Sequence, residues 1–414
     1  MRQMKESGLP WIGIIPNRWN THPVYYYFME HKHKNHIGIE QNLLSLSYGN
    51  IIRKDINTNE GLLPENFNSY NIVKNGDIVL RLTDLQNDKK SLRTGLVKER
   101  GIITSAYVTL RPIKELSSTY FHYLLHAYDV SKVLYNMGSG VRQGLNYEEL
   151  CKLMLIEPPL DEQKRIADFL DAKCIEIDNL IADIEKQIES LEQYKRSTIA
   201  EAVTKGLNPK AELKDSGFEW LGEIPSHWKL TRIANLYRVR NQKVSDKDFP
   251  PLSVTMKGIV PQLETAAKTN DGDNRKLVRV GDFAINSRSD RRGSCGISAF
   301  DGSVSLINTV LKPMSEMNPR YYNWLFHTVQ FADEYYKHGH GIVDDLWTTT
   351  WQEMRKIVIP TPPLDEQEII ANYLDEKCSK IDDCIAEKKE QIETLQNYKK
   401  SLIFEYVTGK KEVV

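Results

Sequence analysis

The feature that most constrains this chain is internal repetition. The segment PPLDEQKRIADFLDAKCIEIDNLIADIEKQIESLEQYKRSTIAEAVT at residues 158–204 returns as PPLDEQEIIANYLDEKCSKIDDCIAEKKEQIETLQNYKKSLIFEYVT at 362–408, identical at 27 of 47 positions with a constant offset of 204 and no gap. A second repeat pairs KESGLPWIGIIPNRW (5–19) with KDSGFEWLGEIPSHW (214–228), so that Trp11 matches Trp220, Pro16 matches Pro225 and Trp19 matches Trp228. Self-similarity on this scale means two tandem halves built alike. Each half has a Trp-containing lead segment, a globular region of about 130 residues and a long terminal segment, a size suited to one core per half. The boundaries read as a first domain at 1–157, a first long helix at 158–206, a second domain at 207–361 and a second long helix at 362–414. Between the shared segments, 20–157 and 229–361 align only through NGDIVL (75–80) with VGDFAI (280–285), Tyr120 with Tyr321 and Gly138 with Gly339. One scaffold therefore carries two different surfaces.

In the first long segment Leu170, Cys174, Ile177, Ile181, Ile184, Ile188 and Leu191 alternate spacings of four and three, the period of a helix–helix seam. The second has Leu374, Cys378, Ile381, Ile385, Ile392, Leu395 and Leu402 in matching register, with Lys388 where the first has Ile184. A single polar residue in such a seam sets register at some cost in stability. Asp161-Glu162 and Asp365-Glu366 follow a Pro-Pro and favour helix starts there, while Gly206 and Gly409 mark the ends. Some 40 residues make a rod of roughly 60 Å. Because each half places its helix after its globular region, the expected pairing is antiparallel within one chain, an oligomerisation stalk being the alternative.

Each long helix holds 11 acids against 6 bases, so the pair carries −10 while the whole chain carries −1, which leaves +9 on the remainder. Uniform histone-like basicity is excluded, and basic domains on acidic helices suit a nucleic-acid reader, although surplus Lys and Arg also serve solubility. No run of about 18 apolar residues and no leader pattern is present, so the expectation is a cytoplasmic protein with no membrane role. Cys151, Cys174, Cys295, Cys378 and Cys384 form no C-x-x-C pair, which argues against a disulfide framework or a zinc ribbon. His31, His33 and His36 lack a recognised ligand spacing, so no metal site is expected.

Three polar stretches are candidate DNA contacts. GSGVRQG (138–144) offers Ser139, Arg142 and Gln143 among glycines, and GHGIVDD (339–345), preceded by His338, keeps the glycines but presents His340, Asp344 and Asp345. Arg and Gln pair bidentately with base edges, and glycine lets backbone N–H groups approach phosphate. NSRSDRRGS (286–294) adds Arg288, Arg291 and Arg292, and RLTDLQNDKKSLRTG (81–95) adds Arg81, Lys89, Lys90 and Arg93. Glycine turns and solvated charge are the alternatives in each case. The run Tyr25, Tyr26, Tyr27, Phe28 reads as strand and core rather than a stacking platform.

No phosphate loop, dinucleotide fingerprint, HExxH, GxSxG or Asn/Asp-Pro-Pro-aromatic tetrapeptide occurs, so no catalytic residue is assigned. Taken together, the twice-used PPLDEQ-plus-helix segment ending in EAVTKG and EYVTGK, and the twice-used SG-x-x-W-(L/I)-G-x-IP-x-x-W lead, resemble the specificity subunit of type I restriction–modification enzymes over the full chain. The resemblance implies a mixed α/β (α+β) fold of two target-recognition domains joined by an antiparallel coiled-coil pair. It implies that each domain reads one half of a bipartite, asymmetric site on double-stranded DNA while the helices set the gap. It also implies two methylation subunits and two restriction subunits as partners. S-adenosylmethionine, ATP and Mg are then expected on those partners, and no cofactor on this chain. A coiled-coil adaptor with two protein-binding domains is the other reading.

Overall fold

The computed structural model describes residues 2–36, 38–57, 66–85, 92–137, 144–262, 272–288, 291–314, 316–341 and 347–413. The chain forms two compact units, Met1–Ile184 with Glu390–Val414, and Glu185–Lys389. The two long helices, Leu160–Lys205 and Leu364–Val407, each run from one unit into the other. A unit is therefore a globular domain, the near half of its own helix and the far half of the other helix.

The first domain centres on a four-stranded antiparallel sheet ordered Phe28–Glu30, Val108–Pro112, Ile78–Leu80, Thr94–Leu96. The second repeats that order with Tyr237–Val239, Asn308–Pro313, Phe283–Asn286, Cys295–Ile297. The NGD and VGD landmarks open the corresponding strand in each. Asp77 accepts from the Lys74 N–H and pairs with Arg111 at 2.6 Å, and Asp282 accepts from the Arg279 N–H and pairs with Arg240 at 2.7 Å. A buried carboxylate tied to its own turn and to an arginine is satisfied on both sides, which is what makes its burial tolerable. Every ladder is antiparallel, so the mixed fold is of the α+β kind.

Each domain also carries a β-hairpin, Leu44–Ser47 with Asn50–Arg53 and Leu252–Thr255 with Gly258–Pro261. Its helical layer differs between the halves. Ser118–Val130 is one helix capped by Ser117, whereas the second domain uses Pro319–Phe326 and Val329–Lys337, the latter restarted by the Thr328 side chain accepting from the Phe331 N–H.

The repeated segments are the clamps that fasten helix to domain. Trp19 and Trp228 are fully buried and donate their indole N–H to Glu162 (3.0 Å) and Glu366 (2.8 Å). Gln163 and Gln367 cap the domain helices by accepting from the Ser117 and Asn318 N–H groups, and donate to the Pro158 and Pro362 carbonyls. Tyr120 donates to the Val407 carbonyl at 2.9 Å and Tyr321 to that of Val203 at 2.8 Å. The conserved spelling of PPLDEQ and of the helix ends thus has a cause in each half: these are the groups that satisfy buried polar atoms at the junction.

The seam forms as its spacing predicts. Leu170, Cys174, Ile177, Leu374, Cys378, Ile381, Ile385 and Leu402 are buried, and Ile181, Ile184, Ile188, Leu191, Ile392 and Leu395 half-buried. In the first unit Phe169 packs on Tyr406, ring centroids 4.5 Å apart, and Lys399 bonds Asp178 at 2.6 Å. In the second, Gln187 accepts from Lys388 and Asp382 pairs with Lys195 at 2.6 Å. Partner numbers rise on one helix as they fall on the other, so the pairing is antiparallel within each unit.

Candidate nucleic-acid interface

In the second domain the predicted contacts converge. Tyr336, buried on the Val329–Lys337 helix, donates to the Asn286 carbonyl at 3.1 Å and holds the start of the arginine loop. Thr349 donates its N–H to Ser287 and its hydroxyl to the Tyr335 carbonyl. Arg288 and His340 both bridge to Thr348. A Cβ on Gly339 would come within 2.3 Å of the Trp347 indole nitrogen, so only glycine fits that crossing. This weave leaves Arg291, Arg292, His338 and His340 exposed and Arg288 half-buried on one rim. Arg292 pairs with Asp333 at 2.8 Å over the Tyr336 ring, and His338 with Glu334 at 2.9 Å. Exposed pairs of this kind are worth little in stability, and the arginine side chains can turn toward phosphate at small cost.

The first domain has the same framework. Leu145 donates its N–H to the Leu82 carbonyl at 2.8 Å, so the segment after the GSGVRQG stretch meets the 81–93 loop as 347–349 meets 286–294. Arg81 is half-buried at the loop's start. Lys89, Lys90, Ser139, Arg142, Gln143, Asp344 and Asp345 lie outside the described residues.

Arg93 corrects an expectation. It is 0% exposed, and its guanidinium donates to the carbonyls of Arg81 (3.2 Å), Thr83 (2.8 Å) and Asp84 (3.1 Å) and to the Tyr135 hydroxyl. A five-donor planar fork can gather several carbonyls at once. Arg93 therefore builds the loop from inside, with Asp84 at φ 58°, instead of facing a ligand. Of the histidines set aside as ligands, His31 donates from Nε2 to the Ile72 carbonyl (3.1 Å) and stacks near His33. Burial and the neighbouring Arg111 lower its pKa. No group of three potential metal ligands occurs among the described residues, and none of their helices is long and apolar enough to cross a membrane.

Sequence reading passed over the two hairpins, each of which packs against the strand that follows its own domain's basic loop. Strict alternation around Tyr48-Gly49 in LSLSYGNIIR is the signal that could have located the first.

Residues 46–193 match the model of the type I restriction modification DNA specificity domain. The chain is 29% identical over 319 residues to the protein described as the type I restriction enzyme MjaX specificity subunit of Methanocaldococcus jannaschii, covering 73% of this chain and 71% of that one. Over about three quarters of its length the chain is thus similar to a type I specificity subunit. A second relative from the same organism, the MjaVIII specificity subunit, is 28% identical over 173 residues, 42% of this chain and 38% of its own length. The fold agrees. A chain from a structural study of complex assembly and conformational transition in the type I R-M system superposes with a TM-score of 0.70 at 14% identity, covering 96% of this chain and 99% of that one. The HsdS subunit from Thermoanaerobacter tengcongensis superposes with a TM-score of 0.52, also at 14% identity, covering 96% and 98%.

Proposed function

We propose that this chain is a specificity subunit that reads double-stranded DNA for a type I restriction–modification complex, each domain taking one half of a bipartite, asymmetric site. The observation that carries this is the contrast within the chain: junction clamps are spelled alike in both halves, while the rims they support differ in residue type, from Arg81 in one to Arg288, Arg291, Arg292 and His340 in the other. Phosphate attraction by such rims supplies affinity, and the differing side chains supply sequence choice. The paired helices fix the spacer between half-sites and present repeated faces to two methylation subunits, with two restriction subunits joining them; repeated surfaces accept repeated partners. In this reading the chain is non-catalytic and works in the cytoplasm. S-adenosylmethionine, ATP and Mg belong to the partner subunits.

Long-read mapping of methylated adenines, in cells expressing this chain with its adjacent methyltransferase against the methyltransferase alone, tests the reading. The expected result is a split asymmetric motif found only when this chain is present. With the methyltransferase folded and present, no new methylation overturns it in favour of a protein-binding adaptor.

A further inference from the structure

The two hairpins correspond in placement and in part of their spelling, Leu44-Ser45 matching Leu252-Ser253 and Ile51 matching Ile259, but differ at their tips. In the first, Ser47 pairs with Asn50, which leaves Tyr48-Gly49 as a two-residue turn with φ of 46° and 81°. Turns of this hand favour Asn or Gly at both positions, and a bulky side chain there is a costly choice. Tyr48 nevertheless occupies it with its ring unpacked: at 81% it is the most exposed large hydrophobic among the described residues. In the second, Met256 stands at the tip of Leu252–Pro261 and is 71% exposed.

Both tips lie against the basic-loop framework. A Cβ on Gly49 would sit 3.2 Å from Leu92, next to Arg93, and one on Gly95 would sit 2.6 Å from Leu46. In the second domain a Cβ on Gly296 would sit 2.8 Å from the Gly258 Cα, two residues beyond Met256 and just after the Arg291-Arg292 loop. Glycine at 95 and 296 permits this close approach in both domains. Isolated exposed apolar residues are ordinary; one at the tip of the corresponding hairpin in two dissimilar domains, once in a left-handed turn, is not.

We propose that Tyr48 and Met256 are apolar probes that press onto the bases of the two half-sites, Tyr48 by ring stacking and Met256 as a wedge at a base step, while the neighbouring basic loops hold phosphate. Aromatic and aliphatic side chains act on bases in this way where a charged surface brings them to the duplex. This rests on the DNA-reading function proposed above.

The test uses the full chain assembled with its co-expressed methyltransferase and a duplex bearing the mapped motif, with a scrambled duplex as control. Tyr48→Asn and Met256→Ala are each expected to weaken motif binding roughly 5- to 100-fold, the range for loss of one stacked contact, and to leave the salt dependence of affinity unchanged. Arg292→Ala is expected instead to reduce the slope of log affinity against log salt by about one. Because Asn suits the left-handed position, Tyr48→Asn is expected to melt no lower than the parent, which separates lost contact from lost fold. Motif affinities within twofold of the parent for both variants overturn the probe assignment alone. A parent complex that does not prefer the motif over the scrambled duplex overturns the DNA-reading function with it.

Discussion

Gly206 and Gly409 end the two long helices, and their environments make unequal predictions for the same substitution. Both have positive φ, 73° and 69°, so alanine at either pays the left-handed penalty of about 1–2 kcal/mol. At Gly206 the added Cβ would stand 3.1 Å from the Trp228 ring, a contact that small shifts relieve. At Gly409 it would stand 2.5 Å and 2.7 Å from two Pro16 ring atoms and 2.9 Å from Trp19, rigid groups held by the junction clamp. The second helix end reads V-T-G where the first reads V-T-K-G, and the missing residue draws Gly409 closer. Overpacking of this kind adds about 1–3 kcal/mol. For units of about 200 residues, Gly409→Ala is expected to lower the melting of the first unit by roughly 10 °C and Gly206→Ala that of the second by roughly 4 °C. Calorimetry with hydrogen exchange on peptides covering 1–19 and 205–228 assigns each transition to its unit. Equal shifts, or a first-unit shift smaller than the second, would refute the reasoning.

Three further expectations follow from Lys388, from Arg93, and from His122 and His126 on the Ser118–Val130 helix. Lys388→Ile, which restores the apolar seam around Gln187, is expected to stabilise the second unit by about 1 kcal/mol; a lower melting temperature would show that the lysine supports the seam. Arg93→Met leaves three loop carbonyls without their donor and is expected to cost the first unit about 3 kcal/mol or more, measured by urea unfolding, with a neutral outcome ruling out the internal role. Burial lowers the His122 pKa to about 4, and burial with His122, Lys399 and Lys400 lowers that of His126 to about 3. The unfolded chain takes up these protons near 6.5 and the folded one does not, so stability is full above that pH. It is lost as pH falls toward 4, by about 1.4 kcal/mol per pH unit for each histidine. His122→Asn, the residue that the second half carries at Asn323, is expected to flatten the pH dependence of the urea midpoint between 6.5 and 4.5, and an unchanged slope would remove His122 from the account.

How much of this was legible in the sequence depended on the length of the signal. The helices were readable because Leu170 to Leu191 and Leu374 to Leu402 repeat one period over many turns, and the duplicated text marked the halves. The sheets were not, because their strands run two to six residues and only the NGD turn survives as common spelling. In the second domain Arg291 and Arg292 lie exposed on the loop where the sequence gathers its charge. Arg93 was misplaced because a charge in a polar loop reads as solvated, and nothing local shows that three carbonyls turn inward to meet it. Tyr48 and Met256 escaped notice for the converse reason: an apolar residue between alternating neighbours reads as strand interior, and its exposure depends on where the turn falls.

Splitting each long helix between two units also bears on synthesis. The second unit, Glu185–Lys389, is continuous, so all of it is available before the chain is finished. The first is missing Glu390–Val414 until after the whole second unit has been made. Until then Leu170, Cys174 and Ile177 lack Leu402, Ile403 and Val407, and Trp19 and Tyr120 lack the helix end they grip. The usual order, in which the N-terminal domain settles first, is reversed for these two units: the one begun earlier waits, with its apolar stripe bare, for a segment translated after the other is whole.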